Sequence, residues 1–237
     1  MMDCSMQEKR CRYEKAVRSL CPSISKQLDD RKNISWCEYE LRKELVGCVI
    51  GSQIRNETAV NITENLDQAG LLDDKQWHCK KNNNFESRVY EVLIGEKRGM
   101  PHHSRHRFPK ARAKQLGQAR NELSKAPLTE RLSANKTPQL MRKMFVDNIS
   151  GIGPKQASMF LRNVGVSYEL AILDTHVLRF MDMQGILPAN KARIGTMAGY
   201  EKTEQHIVSY ADSLGYPAGY LDWAIWATMK AARELGL

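Results

Sequence analysis

Asp147 to Val177 reads DNISGIGPKQASMFLRNVGVSYELAILDTHV, and the order of residue types in it decides the architecture. Helical spacing runs up to Gly151-Ile152-Gly153, and a second helical pattern opens at Pro154 and closes at Gly165. Two helices joined by a short glycine turn make a helix–hairpin–helix. Glycine permits the positive φ that so tight a turn needs and lets a ligand approach the backbone. Proline at the first helical position loses no needed donor. Free N–H groups in the turn and the positive end of the second helix suit a phosphate. The plainer reading of the same glycines is an ordinary interhelical connection.

Two reactive groups accompany the turn. Lys155 stands two residues past Gly153, Asp174 follows 174 − 155 = 19 residues later, and His176 lies just beyond. An amine is a nucleophile only when unprotonated, and desolvation or a helix N-terminus favours that form. Such a lysine can attack C1′ of a nucleotide, expel the base and form a Schiff base with the opened sugar. A nearby carboxylate stabilises the cationic sugar carbon. Taken alone, Lys155 reads as a solvated surface lysine. Asp174 reads equally as the N-cap before Thr175-His176-Val177. Its two readings are compatible, because one oxygen can cap while the other serves the site.

Outward from this stretch the patterns are helical, with no run of alternating strands. Helices are expected over 5–20, 36–50, 59–69, 85–94, 111–123, 139–147, 154–164, 176–183, 201–214 and 220–235. Thr137-Pro138 is an N-cap followed by proline at the first helical position. Lys80–Asn84 reads as a loop and Gly185–Pro188 as a turn.

Charge points to the partner. The chain of 237 residues has 36 Lys and Arg against 27 Asp and Glu, a formal +9, with pI near 9.3. A polyanion such as nucleic acid fits that balance. Lys97 to Arg120 holds eight Lys/Arg, three His and no acid. It reads either as a solvated face or as a track for the DNA backbone through Arg105, Arg107 and Lys110. The six cysteines, Cys4, Cys11, Cys21, Cys37, Cys48 and Cys79, form no C-x-x-C pair, and none follows Cys79. Zinc and iron–sulfur spacings are therefore absent, and free thiols in a reducing cytoplasm are expected. No apolar run approaches the ~20 residues of a membrane span, and the first residues lack a signal peptide's apolar core.

The quoted segment resembles the signature of the helix–hairpin–helix DNA glycosylase superfamily, in which a lysine of the second hairpin helix is followed by an aspartate at this distance. The runs KQASMFLRNVG, AILDTHVLR and RFPKARAKQLGQAR are similar to the short, archaeal-type 8-oxoguanine DNA glycosylase/AP lyase family. The resemblance spans roughly Leu41 to Trp226. It implies an all-α fold of two helical lobes with the helix–hairpin–helix motif and a DNA-binding cleft between them. The expected division puts residues 1–104 and 191–237 in one lobe and 105–190 in the catalytic lobe.

The same resemblance implies a bifunctional enzyme. It would flip a modified base out of double-stranded DNA, most simply an oxidised purine such as 8-oxoguanine, excise it and cleave by β-elimination. Lys155 would be the Schiff-base nucleophile and Asp174 the catalytic carboxylate. N–H groups near Gly151, Gly153 and Gln156 would hold a phosphate, and His176 would contact one, its plainer reading being a capping or surface histidine. The carbonyls of Asp147, Ile149 and Ile152 match positions that bind a monovalent cation, Na+ or K+. No other cofactor and no iron–sulfur cluster are expected, and the chain is expected to act as a monomer, associated with the nucleoid when on DNA.

Base recognition is implied elsewhere. Gly51-Ser52-Gln53-Ile54-Arg55 matches a loop that inserts a polar side chain, with Gln53 as wedge and Arg55 against the orphan base; otherwise it is a plain turn. Asp222, Trp223 and Trp226 share a helix wall that can stack on a flipped purine, although tryptophan at this spacing is more often core. The short family ends in a recognition lysine, whereas this chain continues through Lys230 to Glu234-Leu235-Gly236-Leu237. That departure leaves open another modified base, including a hypermodified viral one. A non-catalytic helix–hairpin–helix module also accounts for the hairpin and the charge, but not for the Lys155–Asp174 spacing.

Overall fold

The computed structural model describes residues 4–31, 34–78, 84–95, 104–187 and 194–236, and every regular element among them is an α-helix. In chain order these are α1 Cys4–Arg31, α2 Glu38–Ile50, α3 Asn56–Gln68, α4 Asp74–His78, α5 Phe85–Leu93 and α6 Pro109–Leu123. They continue as α7 Leu128–Ser133, α8 Pro138–Asn148, α9 Pro154–Asn163, α10 Thr175–Gln184, α11 Met197–Ser213 and α12 Ala218–Glu234. Cys79, most of the loop Lys80–Asn84, the Lys97–His103 part of the basic stretch, and Pro188 lie outside the described residues.

Contacts gather the chain into two compact units, one of Ser35–Phe160 and one of Met1–Ile34 with Leu161–Leu237. These limits differ from the expected 1–104 plus 191–237 and 105–190. The reason is packing. α6 lies against α5 and α2, so the stretch after residue 105 shares a core with the helices before it. α10, α11 and α1 all pack on α12, which ties the segment after α9 to both chain ends.

Within the second of these units, α1 is longer than its sequence pattern. It continues through Pro22 to Arg31 instead of stopping near residue 20. Proline costs a helix about 3 kcal/mol, but Val17, Cys21, Ile24 and Leu28 on one face are buried in the core with Tyr220, Leu221 and Ile225. Burying Val17, Ile24 and Leu28 at roughly 1.5–3 kcal/mol each outweighs that loss. α11 begins earlier than expected, because the Thr196 hydroxyl caps it by accepting from the Gly199 N–H at 3.1 Å.

Candidate active site

The hairpin is built inside the Ser35–Phe160 unit. Phe145 of α8 meets Phe160 of α9 edge to face at 5.1 Å, and Arg142 donates to the Ser158 hydroxyl at 3.2 Å between the same helices. Ile149 and Ile152 are buried beneath the turn. Gly151 has φ +87, and a Cβ there would meet Val49 Cγ1 at 3.0 Å and Gln115 Cβ at 3.1 Å. A side chain here would be strained by the dihedral and would have to push both neighbours aside. The N–H groups of Gly151, Gly153, Lys155 and Gln156 find no acceptor among the described residues. The Ile152 N–H makes a long 3.3 Å bond to the Ile149 carbonyl, and the carbonyls of Asp147 and Ile152 accept none among the described residues. The Asp147 side chain is exposed and paired with Lys143 at 2.6 Å.

Lys155 is the second residue of α9, half-buried, and its ammonium makes no hydrogen bond or ion pair among the described residues. Asp174 belongs to the other unit and caps α10. Its Oδ1 accepts from the N–H groups of both His176 and Val177 at 2.8 Å, leaving Oδ2 with no partner among the described residues. Both readings of Asp174 therefore fit one conformation. The His176 imidazole is half-buried and makes no hydrogen bond among the described residues.

A backbone outlier marks the 51–55 loop. Gln53 is exposed and has φ 67, the one positive φ outside glycine among the described residues. A glutamine held there costs about 1–3 kcal/mol, so its neighbours must impose it. Two of them come from the basic stretch. Buried His106 accepts from the Phe108 N–H through Nδ1 at 2.9 Å and donates from Nε2 to the Ile50 carbonyl at 3.0 Å, which requires the neutral ring. Burial pushes its pKa below 6.5, partly offset by the Ile50 bond, and Arg112 adds to the lowering. Arg112 donates to the Ser52 carbonyl at 3.4 Å and to Gln115 Oε1 at 2.6 Å. Arg55 is exposed at the start of α3. The basic stretch thus divides: Arg105, Arg107, Lys110 and Lys114 are exposed, while Arg112 and Arg120 are buried.

The family model for 8-oxoguanine DNA glycosylase, of helix–hairpin–helix type, matches residues 24–216. An 8-oxoguanine DNA glycosylase/AP lyase of Sulfolobus acidocaldarius is 37% identical over 185 residues, covering 78% of this chain and 79% of that one. The chain belongs to the 8-oxoguanine DNA glycosylase family. Among solved structures, the family's enzyme from Thermotoga maritima superposes with a TM-score of 0.68 at 26% identity, covering 93% of this chain and 95% of that one. The Methanocaldococcus jannaschii 8-oxoguanine glycosylase/lyase, solved with a 15mer DNA containing 8-oxoguanine, has the same fold, with a TM-score of 0.68 at 24% identity, covering 94% of this chain and 97% of that one.

One expected site residue of this family member has a different place. Asp222 is not on an open wall. It is 1% exposed, Oδ1 accepts from Arg162 Nη1, and Oδ2 accepts from the Ile172 N–H at 2.5 Å. Helical spacing places Asp222 beside Trp226 but cannot say that it faces inward to a charge 60 residues away. Burial pushes its carboxyl up to about 7, against the opposing pull of Arg162 and the Ile172 N–H and with the help of the Asp174 and Glu204 charges. Trp223 and Trp226 remain half-buried, with the Arg162 guanidinium 4.9 Å from the Trp223 ring and Lys230 4.9 Å from the Trp226 ring. Tyr200 and Glu204 carry no motif, Arg162, Arg112 and His106 sit in stretches that assign them no individual role, and only their contacts single these five out.

Proposed function

We propose that the protein removes an oxidised purine, 8-oxoguanine first among them, from double-stranded DNA and then cleaves the strand at the abasic site. The observation that carries this reading is a lysine, uncommitted among the described residues, at the second position of the second hairpin helix, in a chain of this family. The target nucleotide must leave the stack to expose C1′. Gln53, strained and exposed, would fill the gap, and exposed Arg55 would meet the orphan base. The open N–H groups at Gly151, Gly153 and Gln156 hold one phosphate, and His176 another. The Asp147, Ile149 and Ile152 carbonyls offer hard oxygen donors of the kind Na+ or K+ takes, and such a cation would add positive charge beside the phosphate.

In the reaction the Lys155 amine forms a bond to C1′ as the bond to the base breaks, and the base leaves with the bonding electrons and takes up a proton. Asp174 Oδ2 stabilises the positive charge that develops on the sugar. Ring opening gives the Schiff base, and loss of a C2′ proton then expels the 3′ phosphate. Borohydride reduction with an 8-oxoguanine duplex traps the Schiff base as a covalent adduct. Lys155→Gln is expected to abolish that adduct; full trapping by the variant would remove Lys155 from the chemistry. A panel of duplexes with other modified bases, scored for nicking, tests the base. Retained DNA affinity with no nicking on any duplex or abasic site would favour a binding module.

A further inference from the structure

Asp174 is delivered by backbone that belongs to no helix. Ser167–Leu173 runs irregularly between α9 and α10, and Ala171, Ile172 and Leu173 are buried. Buried N–H groups need acceptors, and without a neighbouring strand they must find side chains. Three consecutive amides do so, each with a different one. Ala171 N–H donates to Glu204 Oε1 at 2.9 Å, Ile172 N–H to Asp222 Oδ2 at 2.5 Å, and Leu173 N–H to the Tyr200 hydroxyl at 3.0 Å. The Tyr200 hydroxyl also donates to the Ala171 carbonyl at 2.8 Å. Upstream, the Gly219 N–H donates to the Tyr168 carbonyl at 2.8 Å, and a Cβ on Gly219 would stand 2.9 Å from that oxygen. Arg162 pairs with Asp222, and the charges of Asp174 and Glu204 stand near enough to push the Asp222 carboxyl up.

Two buried carboxylates are a costly way to satisfy amides, because burying an ion costs several kcal/mol before pairing. Such expense is reasonable where a group must be held within about 0.5 Å of its working position. Asp174 is held from both sides: by the saturated segment before it and by its own cap on α10 after it. We propose that Arg162, Tyr200, Glu204 and Asp222 form a cradle of positioning residues that fixes Asp174 Oδ2 for base excision. This rests on the reading of Asp174 as the catalytic carboxylate.

The test uses the full chain under single-turnover conditions with an 8-oxoguanine duplex. Tyr200→Phe is the mildest variant, Glu204→Gln and Asp222→Asn the stronger ones, and each is checked by melting temperature. Excision is expected to fall about tenfold in Tyr200→Phe, equivalent to ~1.4 kcal/mol, and more in Asp222→Asn, with DNA affinity unchanged. In an Asp174→Asn background Tyr200→Phe should add no further slowing, because the cradle then has no carboxylate to place. An equal slowing in both backgrounds, or wild-type excision by folded Tyr200→Phe and Glu204→Gln, overturns the cradle. Wild-type excision by Asp174→Asn alone instead overturns the role of Asp174, and with it the reason for the cradle.

Discussion

The hairpin at Ile149–Gly153 and the segment Ser167–Leu173 are both irregular backbone between helices, yet they dispose of their polar groups in opposite ways. At the hairpin, the amides of Gly151 and Gly153 have no acceptor among the described residues, while the turn itself is wedged against Val49 and Gln115. In the second segment, the amides of Ala171, Ile172 and Leu173 are saturated by buried side chains. Open donors on a rigid turn suit a ligand that arrives from outside. Saturated donors suit a segment whose task is to hold the next residue still. Under the proposed function, one region would bind and the other would aim.

Four perturbations break or sharpen that contrast. The largest effect falls on the aimed group: Asp174→Asn is expected to slow base excision about a hundredfold in single turnover while leaving the DNA dissociation constant close to wild type. A matching loss of affinity would merge the two regions into one binding surface. Gly151→Ala should do the reverse. Its φ of +87 and the 3.0 Å approach to Val49 make any side chain strained there, so the turn is expected to relax and affinity for abasic-site DNA to fall about tenfold, because restoring the turn on binding costs the ~1–2 kcal/mol of left-handed strain.

A smaller effect belongs to the exposed cations. Neutralising Arg105, Arg107 and Lys110 together should reduce the salt slope of DNA binding by about 0.9 for each phosphate that these side chains neutralise. An unchanged slope would leave them as a solvated face. The smallest effect is on pH dependence. With the Asp222 carboxyl raised from 3.8 to about 7, excision should rise as pH climbs through 7, because the ionised acid accepts from both Ile172 and Arg162. Asp222→Asn should flatten that limb. Stability runs in the other direction. A carboxyl whose folded pKa is raised favours folding below its ordinary 3.8 and loses that contribution as pH rises through about 7. The melting temperature of Asp222→Asn should therefore gain on that of the wild type as pH rises from 3.8 through about 7.

Local signals carried most of the helix map. Thr137 caps α8 as its position before Pro138 implies, Pro154 opens α9, and Asp174 caps α10, because each acts within a few residues of itself. Signals that depend on distant partners were not legible. α1 runs past Pro22 because its face is buried by residues from the far end of the chain, Tyr220, Leu221 and Ile225 among them. The short helices α4 and α7 are too brief to show a period. Asp222 shares a helical face with Trp226 in the sequence pattern, but only its bond with Arg162 reveals that it is an internal charge.

The sequence by itself determined the all-α class, the hairpin, the spacing of Lys155 to Asp174 and the family those residues resemble. Helical period, glycine turns and caps are short-range physics, and they are written in neighbouring residues. The tertiary structure alone decided which atoms remain available. It assigns Asp174 Oδ1 to capping and leaves Oδ2 open among the described residues, holds Gln53 at a positive φ beside His106 and Arg112, and turns Asp222 inward to hold the backbone of Ile172. Those outcomes depend on buried polar groups finding acceptors tens of residues away, and no local pattern encodes which acceptor each one meets.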